Sequence, residues 1–315
     1  MNHSKKGIHI SAGTPALKER LIRIFQNISR NNQLPFSVKI IRSLDDAKEI
    51  DLLFFEADPK RMDDSKMELQ RLLTTFRMNV VLTCATEYDN LELARQFGIG
   101  NILLPESLNE SVVRAVTAKL LGKQFFGPRP FFPNGYPLFE KEYLFSGRVH
   151  FRDFQEKYFE DFVTDLDPDE RDYFSMFTSE LMTNAIFYGV YGITPEEREK
   201  NPIGFSPHVA IPGGKEIKVK IVRDDEKYGV SITDKTGSLT LQRVLEKIRR
   251  QTVAPGESDP KGLYDLTGRG LFILSKQTRL IINILRKTKT EIIILRYNDP
   301  LLNKYQSLII NEKEK

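Results

Sequence analysis

The segment DLLFFEA, residues 51–57, decides the fold of the N-terminal half of this 315-residue chain. Its four large apolar residues, Leu52 to Phe55, point to both faces of a strand, because successive side chains alternate. A strand that is apolar on both faces belongs to a sheet that is covered by helices on both sides. The segment therefore predicts a buried central strand of a parallel sheet.

Similar apolar segments recur on both sides of this strand and alternate with amphipathic stretches. We predict further strands at residues 7–11, 36–41, 79–85 and 100–104. We predict helices near residues 15–30, 61–76, 87–97 and 107–121. Such β/α alternation predicts an α/β domain over residues 1–122, with a doubly wound five-stranded parallel sheet.

The next segment, residues 123–147, breaks this alternation with four prolines and many aromatic residues. Proline has no amide hydrogen to donate, so a helix or a central strand cannot continue through it. We interpret the segment as a linker packed on a domain surface. The functional alternative is an aromatic docking segment for a partner or for a second copy of the chain.

The C-terminal half, residues 148–315, has a different order of elements. Its patterns predict a helix-rich region (151–191), a hairpin (215–234) and a helix (239–251). A Gly/Pro-containing loop (252–268), a helix (269–277) and a second hairpin (278–297) follow. Strand pairs with segregated helices predict an α+β sandwich, with a mixed, mainly antiparallel sheet and helices on one face.

Composition excludes several classes of protein. The net charge of +4 is spread along the chain, and no dense Lys/Arg block indicates a nucleic-acid surface. The single cysteine, Cys84, excludes an internal disulfide framework and fits a reducing compartment. We see neither a signal peptide nor the ~18 consecutive apolar residues that a membrane span needs. We therefore expect a cytoplasmic protein without nucleic-acid or membrane partners.

The order of elements in residues 1–122 resembles the receiver domain of two-component response regulators. A working receiver needs an acidic pair after its first strand, a phosphoacceptor aspartate after its third and a lysine after its fifth. This chain has Ser11 and Ala12, Glu56 and Leu104 in those places, and it keeps a hydroxyl residue, Thr83, in its predicted fourth strand.

Without these groups there is little to bind Mg²⁺ or to stabilise phosphoryl charge. We therefore interpret this half as a pseudo-receiver, a folded interaction module that is not phosphorylated. Asp58, two residues beyond Glu56, is the alternative acceptor. Glu56 is either a permanent imitation of the charged state or a solvated residue at the end of a strand.

Three polar motifs of the C-terminal half point to a ligand when they are taken together. Glu180 and Asn184 are four residues apart, so they share one face of a predicted helix among apolar neighbours. A predicted strand ends at Asp234 and is followed by Gly237, and the sequence TGRG (267–270) precedes an apolar helix. Each motif alone has an ordinary structural explanation, but a common ligand explains all three.

This combination resembles the ATPase domain of the GHKL superfamily, which includes gyrase, histidine kinases and MutL, and in particular the anti-sigma-factor serine kinases. The resemblance covers roughly residues 150–297 and implies a Bergerat-type fold that binds ATP and Mg²⁺. It implies that Asn184 binds the Mg²⁺ and that Glu180 is the general base. Asp234 accepts a hydrogen bond from the adenine amino group, and Gly237 lets the base approach the backbone.

The resemblance also implies the residues around the phosphates. Backbone amides of Gly268 and Gly270 bind them at a helix start, where the helix dipole helps. The preceding loop is then the ATP lid, from which Lys261 reaches the phosphates. Arg269 either does the same or is solvated, and Thr290 loosely matches a position near the adenine.

The chain departs from the family pattern in two places. The family sequence Asp-x-Gly-x-Gly is replaced by Asp234-Lys-Thr-Gly237, which puts the adenine geometry in doubt. Tyr188 stands where many serine-kinase relatives have histidine or another polar residue. The purely structural interpretation is that Tyr188 is an aromatic residue of the core.

The rest of the chain narrows the choice within the superfamily. His150 is the sole candidate by position for a phosphoacceptor histidine, and it follows the linker without a long preceding helix. Only residues 298–315 follow the predicted last hairpin, where gyrase-like relatives carry a transducer domain. The resemblance thus implies an ATP-dependent serine/threonine kinase that phosphorylates or sequesters a protein partner, a sigma factor or its antagonist, and a possible homodimer. The alternative is a non-catalytic regulatory scaffold whose two halves both serve as docking modules.

Overall fold

One mixed sheet of eleven strands runs through both halves of the chain in this computed structural model. The structure describes residues 6–31, 34, 36–41, 49–84, 86–122, 124–132, 136–150, 159–193, 197, 208–263, 269–304 and 307–314.

The strands and helices of the described residues are numbered here in chain order. The strands are β1 (Lys6–Ser11), β2 (Val38–Ile41), β3 (Leu52–Phe55), β4 (Asn79–Leu82), β5 (Asn101–Leu103), β6 (Phe139–Phe145), β7 (Gly147–His150), β8 (His208–Ile211), β9 (Ile217–Arg223), β10 (Lys227–Asp234), β11 (Arg279–Leu285), β12 (Lys289–Tyr297) and β13 (Ser307–Lys313). The α-helices are α1 (Pro15–Arg30), α2 (Met62–Thr75), α3 (Glu87–Phe97), α4 (Glu110–Leu121), α5 (Glu160–Val163), α6 (Pro168–Asn184), α7 (Leu241–Arg250), α8 (Arg269–Gln277) and α9 (Pro300–Lys304). A π-helical turn, Ala185–Val190, continues α6.

The predicted α/β arrangement of the N-terminal half is confirmed. Strands β1 to β5 are parallel and lie in the order β2-β1-β3-β4-β5, with the predicted helices between them. All four residues of β3 are buried, and they alternate between two hydrophobic cores. Leu53 and Phe55 face one core, while Leu52 and Phe54 face the other. The apolar character of this strand on both faces therefore has the cause that its sequence predicts.

The two predicted hairpins of the C-terminal half are also confirmed. Strand β9 pairs antiparallel with β10, β11 pairs antiparallel with β12, and β12 pairs antiparallel with β10. Buried residues of α6, α7 and α8 share one hydrophobic core with Ile232 of β10 and Ile294 of β12. On the opposite face of this sheet, Phe131 and Phe132 pack against residues of β9, β11 and β12.

Two strands that the sequence did not predict complete the sheet. Strand β13 lies between the halves, where it pairs parallel with β11 and antiparallel with β5. Strand β6 lies within the segment interpreted as a linker and forms the edge of the sheet beside β9. Its alternation of Phe, Lys and Tyr with two glutamates matches a strand with one exposed face, a pattern that the preceding prolines obscured.

Contacts between helices add to this junction of the two halves. The guanidinium group of Arg249 in α7 lies 2.9 Å from the carboxylate of Glu92 in α3. Lys276 in α8 also pairs with Glu87 in α3. Among the described residues, no helix combines the length and apolar character that crossing a membrane requires.

Candidate functional site

In the N-terminal half, the acidic residues near the ends of the strands serve local structure. Both oxygens of Glu56 accept hydrogen bonds from Thr14, which precedes α1, with distances of 2.8 Å to the amide nitrogen and 2.8–2.9 Å to the hydroxyl. Asp58, the alternative acceptor, accepts a hydrogen bond from the amide of Lys60 and caps a short helical turn. Ser11 donates to Glu68 at 2.9 Å. In the described part of the chain, no group of three or more His, Cys, Asp or Glu side chains is arranged to hold a metal ion.

The C-terminal half contains a cleft between the end of α6, its π-helical turn, α7 and the strands β10 and β12. The cleft encloses about 830 Å³ of empty space, including the solvent at its mouth. Three residues that the sequence singled out line it together, Asn184, Asp234 and Thr290. Most of its exposed lining is apolar, with contributions from Leu271 and Ile292. Such a cleft has the character of a small-molecule site.

The inner end of the cleft holds a buried carboxylate beside an unpaired hydroxyl. Asp234 and Thr290 lie directly opposite each other on β10 and β12. Thr236 donates two hydrogen bonds to Oδ1 of Asp234, from its amide at 2.9 Å and from its hydroxyl at 2.5 Å. Burial raises the pKa of the Asp234 carboxyl above its ordinary value. The buried Oγ1 of Thr290 has no hydrogen-bond partner among the described residues, which calls for a ligand or a water.

Gly189 gives this end of the cleft its space, a role that was not predicted from the sequence. A Cβ added to Gly189 would lie 2.9 Å from Cγ of Asp234, closer than real Cβ atoms approach. Gly189 lies in the π-helical turn, a distortion that is frequent at functional sites. The only signal in the sequence was a glycine inside a helical pattern, and that signal alone is weak.

Asn184 and Glu180 form the predicted pair on one face of α6. Asn184 Nδ2 donates to Glu180 Oε1 at 2.9 Å, so each side chain gains a partner. Glu180 lines a neighbouring hollow between α6 and α8, and Asn184 lines the cleft itself. A Cβ at Gly270 would fall 1.7 Å from Glu180 Oε1, so the glycine at the start of α8 makes room for this carboxylate.

The residues predicted around the phosphates are less well placed. Gly268 lies outside the described residues. Lys261 is exposed and lies 3.8 Å from the carboxylate of Glu257, and the exposed Arg269 donates to the carbonyl of Leu263. Neither cation lines the cleft in this conformation.

Two other cations line the cleft, Arg243 and Lys247 of α7. Lys247 Nζ lies 4.8 Å from the ring centroid of Tyr188, which also lines the cleft. Helix α7 was predicted from the sequence, but no role was predicted for its basic residues. The repeated positive charges of LQRVLEKIRR were the available signal, but a solvated face explains such a run equally well.

Gly237 serves a different contact from the predicted approach of adenine. Its φ is +60°, and a Cβ would lie 2.2 Å from the carbonyl oxygen of Leu285. The amide of Lys287 donates to the carbonyl of Gly237 at 3.1 Å. The glycine therefore lets the backbone after β10 pack against the turn between β11 and β12, next to the strand that carries Thr290.

We expect Gly237→Ala to lower the free energy of unfolding by at least about 2 kcal/mol, because alanine is strained at positive φ and its Cβ meets backbone atoms. Urea denaturation at 25 °C measures this change. The matched control is Gly213→Ala, because its Cβ would meet nothing within 4 Å and its φ is not in the left-handed region. Equal stability of the two variants would contradict the prediction.

No protein-family model and no curated protein matches this chain. The cleft and its residues are therefore the basis for a functional proposal.

Proposed function

We propose that this protein is a Mg·ATP-binding regulatory protein that resembles the anti-sigma-factor serine/threonine kinases. It phosphorylates or sequesters a protein partner, a sigma factor or an antagonist of one, and it does so in the cytoplasm, as a monomer or a homodimer. In this proposal residues 1–122 are the pseudo-receiver and residues 148–315 the GHKL-type ATP-binding domain. One observation carries the proposal: the buried Asp234 carboxyl and the unpartnered Thr290 hydroxyl belong to directly opposite residues that both line the cleft.

Adenine matches the inner end of the cleft in shape and in hydrogen bonding. Its exocyclic amine donates hydrogen bonds, and Asp234 offers a carboxylate that is held in place by Thr236. The Thr290 hydroxyl both donates and accepts, so it serves a ring nitrogen directly or through a water. The apolar side chains of Leu271 and Ile292 supply the surfaces that a planar base contacts.

The outer part of the cleft matches phosphates with Mg²⁺. The hydrogen bond to Glu180 uses the amide nitrogen of Asn184, which leaves the amide oxygen as a ligand for Mg²⁺. Mg²⁺ keeps several waters when it binds a nucleotide, so one protein oxygen is enough. When bound, the ion neutralises phosphate charge, to which Arg243 and Lys247 add from the wall of the cleft. Glu180 would accept the proton from the attacking serine hydroxyl or water.

The non-catalytic scaffold is the second candidate, and the position of Glu180 favours it. Its carboxylate accepts from Asn184 but lines the hollow between α6 and α8, where it packs on Gly270, and does not line the cleft itself. A protein with this arrangement binds the nucleotide without transferring its phosphate, and the bound nucleotide then sets the shape of a docking surface.

We expect Asn184→Ala to remove the Mg²⁺-dependent part of ATP binding and to lower the affinity for Mg·ATP at least about tenfold. Loss of a residue that only supports a metal ligand already costs about that much, and loss of the ligand itself costs no less. Isothermal titration of ATP into wild type and variant, with and without Mg²⁺, measures this loss. Asn298→Ala is the control, since Asn298 is exposed, lies beyond the far end of β12, and its side chain donates to the carbonyl of Asp225. An absence of ATP binding in the wild type would disprove the nucleotide site.

A measurement of ADP release separates the two candidate functions. Turnover by the wild type that Glu180→Gln abolishes without weakening ATP binding supports the kinase. Tight binding without turnover, in the presence of serine-containing partners, supports the scaffold.

A further inference from the structure

A buried arginine at the junction of the two halves has no polar partner. Arg279, the first residue of β11, is only 5% exposed. Among the described residues its guanidinium group makes no hydrogen bond or ion pair, and its buried Nε is unpaired. One face of the group lies 4.6 Å from the ring centroid of Tyr297. That contact satisfies the face of the cation, but the N–H donors in its plane still lack acceptors.

The acidic groups near Arg279 are engaged elsewhere or exposed, since Asp224 pairs with Lys227, Glu110 lies near Arg114, and Glu226 is exposed. Lys227 Nζ lies 5.7 Å from the same Tyr297 ring, and it is already paired with Asp224 at 2.6 Å. Arg114 of α4 is a further cation near this ring, and burial lowers its pKa. Glu226, the remaining acidic residue near the ring, is exposed. The chain therefore supplies Arg279 with no counter-charge of its own among the described residues.

A small hollow adjoins the guanidinium group. It lies between α4, the linker residue Phe131 and the strands β11, β12 and β13, and it is lined by the serines Ser111 and Ser307 as well as by Arg279. The hollow has room for about one ordered water or a single small ion. A phosphate is too large for this hollow. The rest of its lining is apolar.

We propose that this hollow binds a small monovalent anion, chloride, between Arg279 and the hydroxyl groups of Ser111 and Ser307. An anion supplies the acceptor that the buried donors lack and neutralises the local positive charge. Because Ser111 belongs to α4 and Ser307 to β13, the ion joins the N-terminal half to the strand that links both halves. The site is separate from the cleft and does not depend on the proposed ATP binding.

Thermal unfolding of the full chain tests this proposal. We expect the melting temperature of the wild type to be higher in sodium chloride than in sodium gluconate at equal ionic strength, because a ligand that binds only the folded state stabilises it. Equal ionic strength removes the effect of screening. Arg279→Met retains apolar bulk and is expected to abolish the difference between the two salts. Arg286→Met is the matched control, because Arg286 pairs with Glu312 at the other end of β11, and it is expected to retain the difference.

Bromide provides a direct readout that needs no variant. Wild-type crystals soaked in bromide are expected to show an anomalous peak beside the Arg279 guanidinium group. A melting temperature that is the same in chloride and gluconate, or a chloride effect that persists in Arg279→Met, would overturn the proposal. Stabilisation by formate without stabilisation by chloride would assign the hollow to carboxylates and overturn the halide assignment.

Discussion

Replacement of Asp234 by asparagine is expected to weaken ATP binding by about 10- to 100-fold while the protein stays folded. The carboxylate is the acceptor at the inner end of the cleft, and a hydrogen bond to a charged group contributes about 1.5–3 kcal/mol. Asparagine has the same size, but its amide is neutral, and its amino group would face the donating amine of adenine. The loss therefore combines a weaker acceptor with a donor–donor clash.

The same substitution is expected to act differently on stability. Burial raises the pKa of the Asp234 carboxyl in the folded protein, so its contribution to stability is greatest at low pH and is lost as the pH rises through that pKa. At neutral pH the ionised form carries a desolvation cost that asparagine avoids. We therefore expect Asp234→Asn to be at least as stable as wild type at pH 7.

Two measurements on the same variant check both effects. Isothermal titration of Mg·ATP gives the affinity, and urea denaturation at pH 7 gives the free energy of unfolding. Asp259→Asn, on the exposed loop after α7, is the matched control, and neither quantity should change in it. Unchanged affinity in Asp234→Asn would remove the central support for a nucleotide site in this cleft.

The regular elements of this fold follow from the sequence because each has a local cause. The buried side chains of Leu52 to Phe55 face two cores alternately, which requires a sheet that is covered on both sides, and the residues themselves carry that pattern. Asn109 and Thr240 cap α4 and α7 with their side-chain oxygens, so the starts of these helices are also encoded locally. Periodicity and capping were therefore enough to place most of the helices and strands.

The joining of the halves has no such local cause. The SLIINEK sequence of β13 is apolar enough for a strand. Its partners β5 and β11, however, lie about 200 and 30 residues earlier in the chain. A pattern within one strand cannot specify partners at such a distance. A similar limit applies to the close approach of Gly100. A Cβ there would lie 2.0 Å from the carbonyl oxygen of Ile310, a requirement that only the assembled sheet reveals.

The candidate site also consists of residues that the sequence predicts and residues that it does not. Glu180, Asn184 and Asp234 were predicted because polar groups on apolar elements need partners. Gly189 and Lys247 were missed because their place at the cleft depends on how the π-helical turn and α7 pack on the sheet. Gly237 was singled out correctly as a close approach, but the group that approaches is the turn between β11 and β12.

A buried glutamate behind the cleft is expected to have the largest effect on stability. Glu291 follows Thr290 on β12 but is on the opposite face of the sheet, and it is only 4% exposed. Its carboxylate accepts hydrogen bonds from Ser231 at 2.7 Å, Asn283 at 2.9 Å and the amide of Gly127 at 2.8 Å. These bonds tie the segment after α4 to the back of the strand that carries Thr290.

Glu291→Ala is expected to lower the free energy of unfolding by about 3–5 kcal/mol, because it leaves three donors without their acceptor inside the protein. Urea denaturation measures the loss. Glu142→Ala, on the exposed face of the edge strand β6, is the control and should change stability by less than about 1 kcal/mol, because it removes only exposed ion pairs with Lys218 and Lys220.

The position of Gly127 gives the prediction a second readout. Without Glu291 the segment of residues 124–132 loses its hydrogen bond to the sheet, so chymotrypsin should cleave after Phe125 or Phe126 faster than in wild type. Glu291→Gln retains one acceptor oxygen and should fall between alanine and wild type in both measurements. If Glu291→Ala loses stability without faster cleavage there, Ser231 and Asn283 account for the loss, and the carboxylate does not anchor the segment. If neither quantity changes, the buried network is not part of what stabilises this sheet.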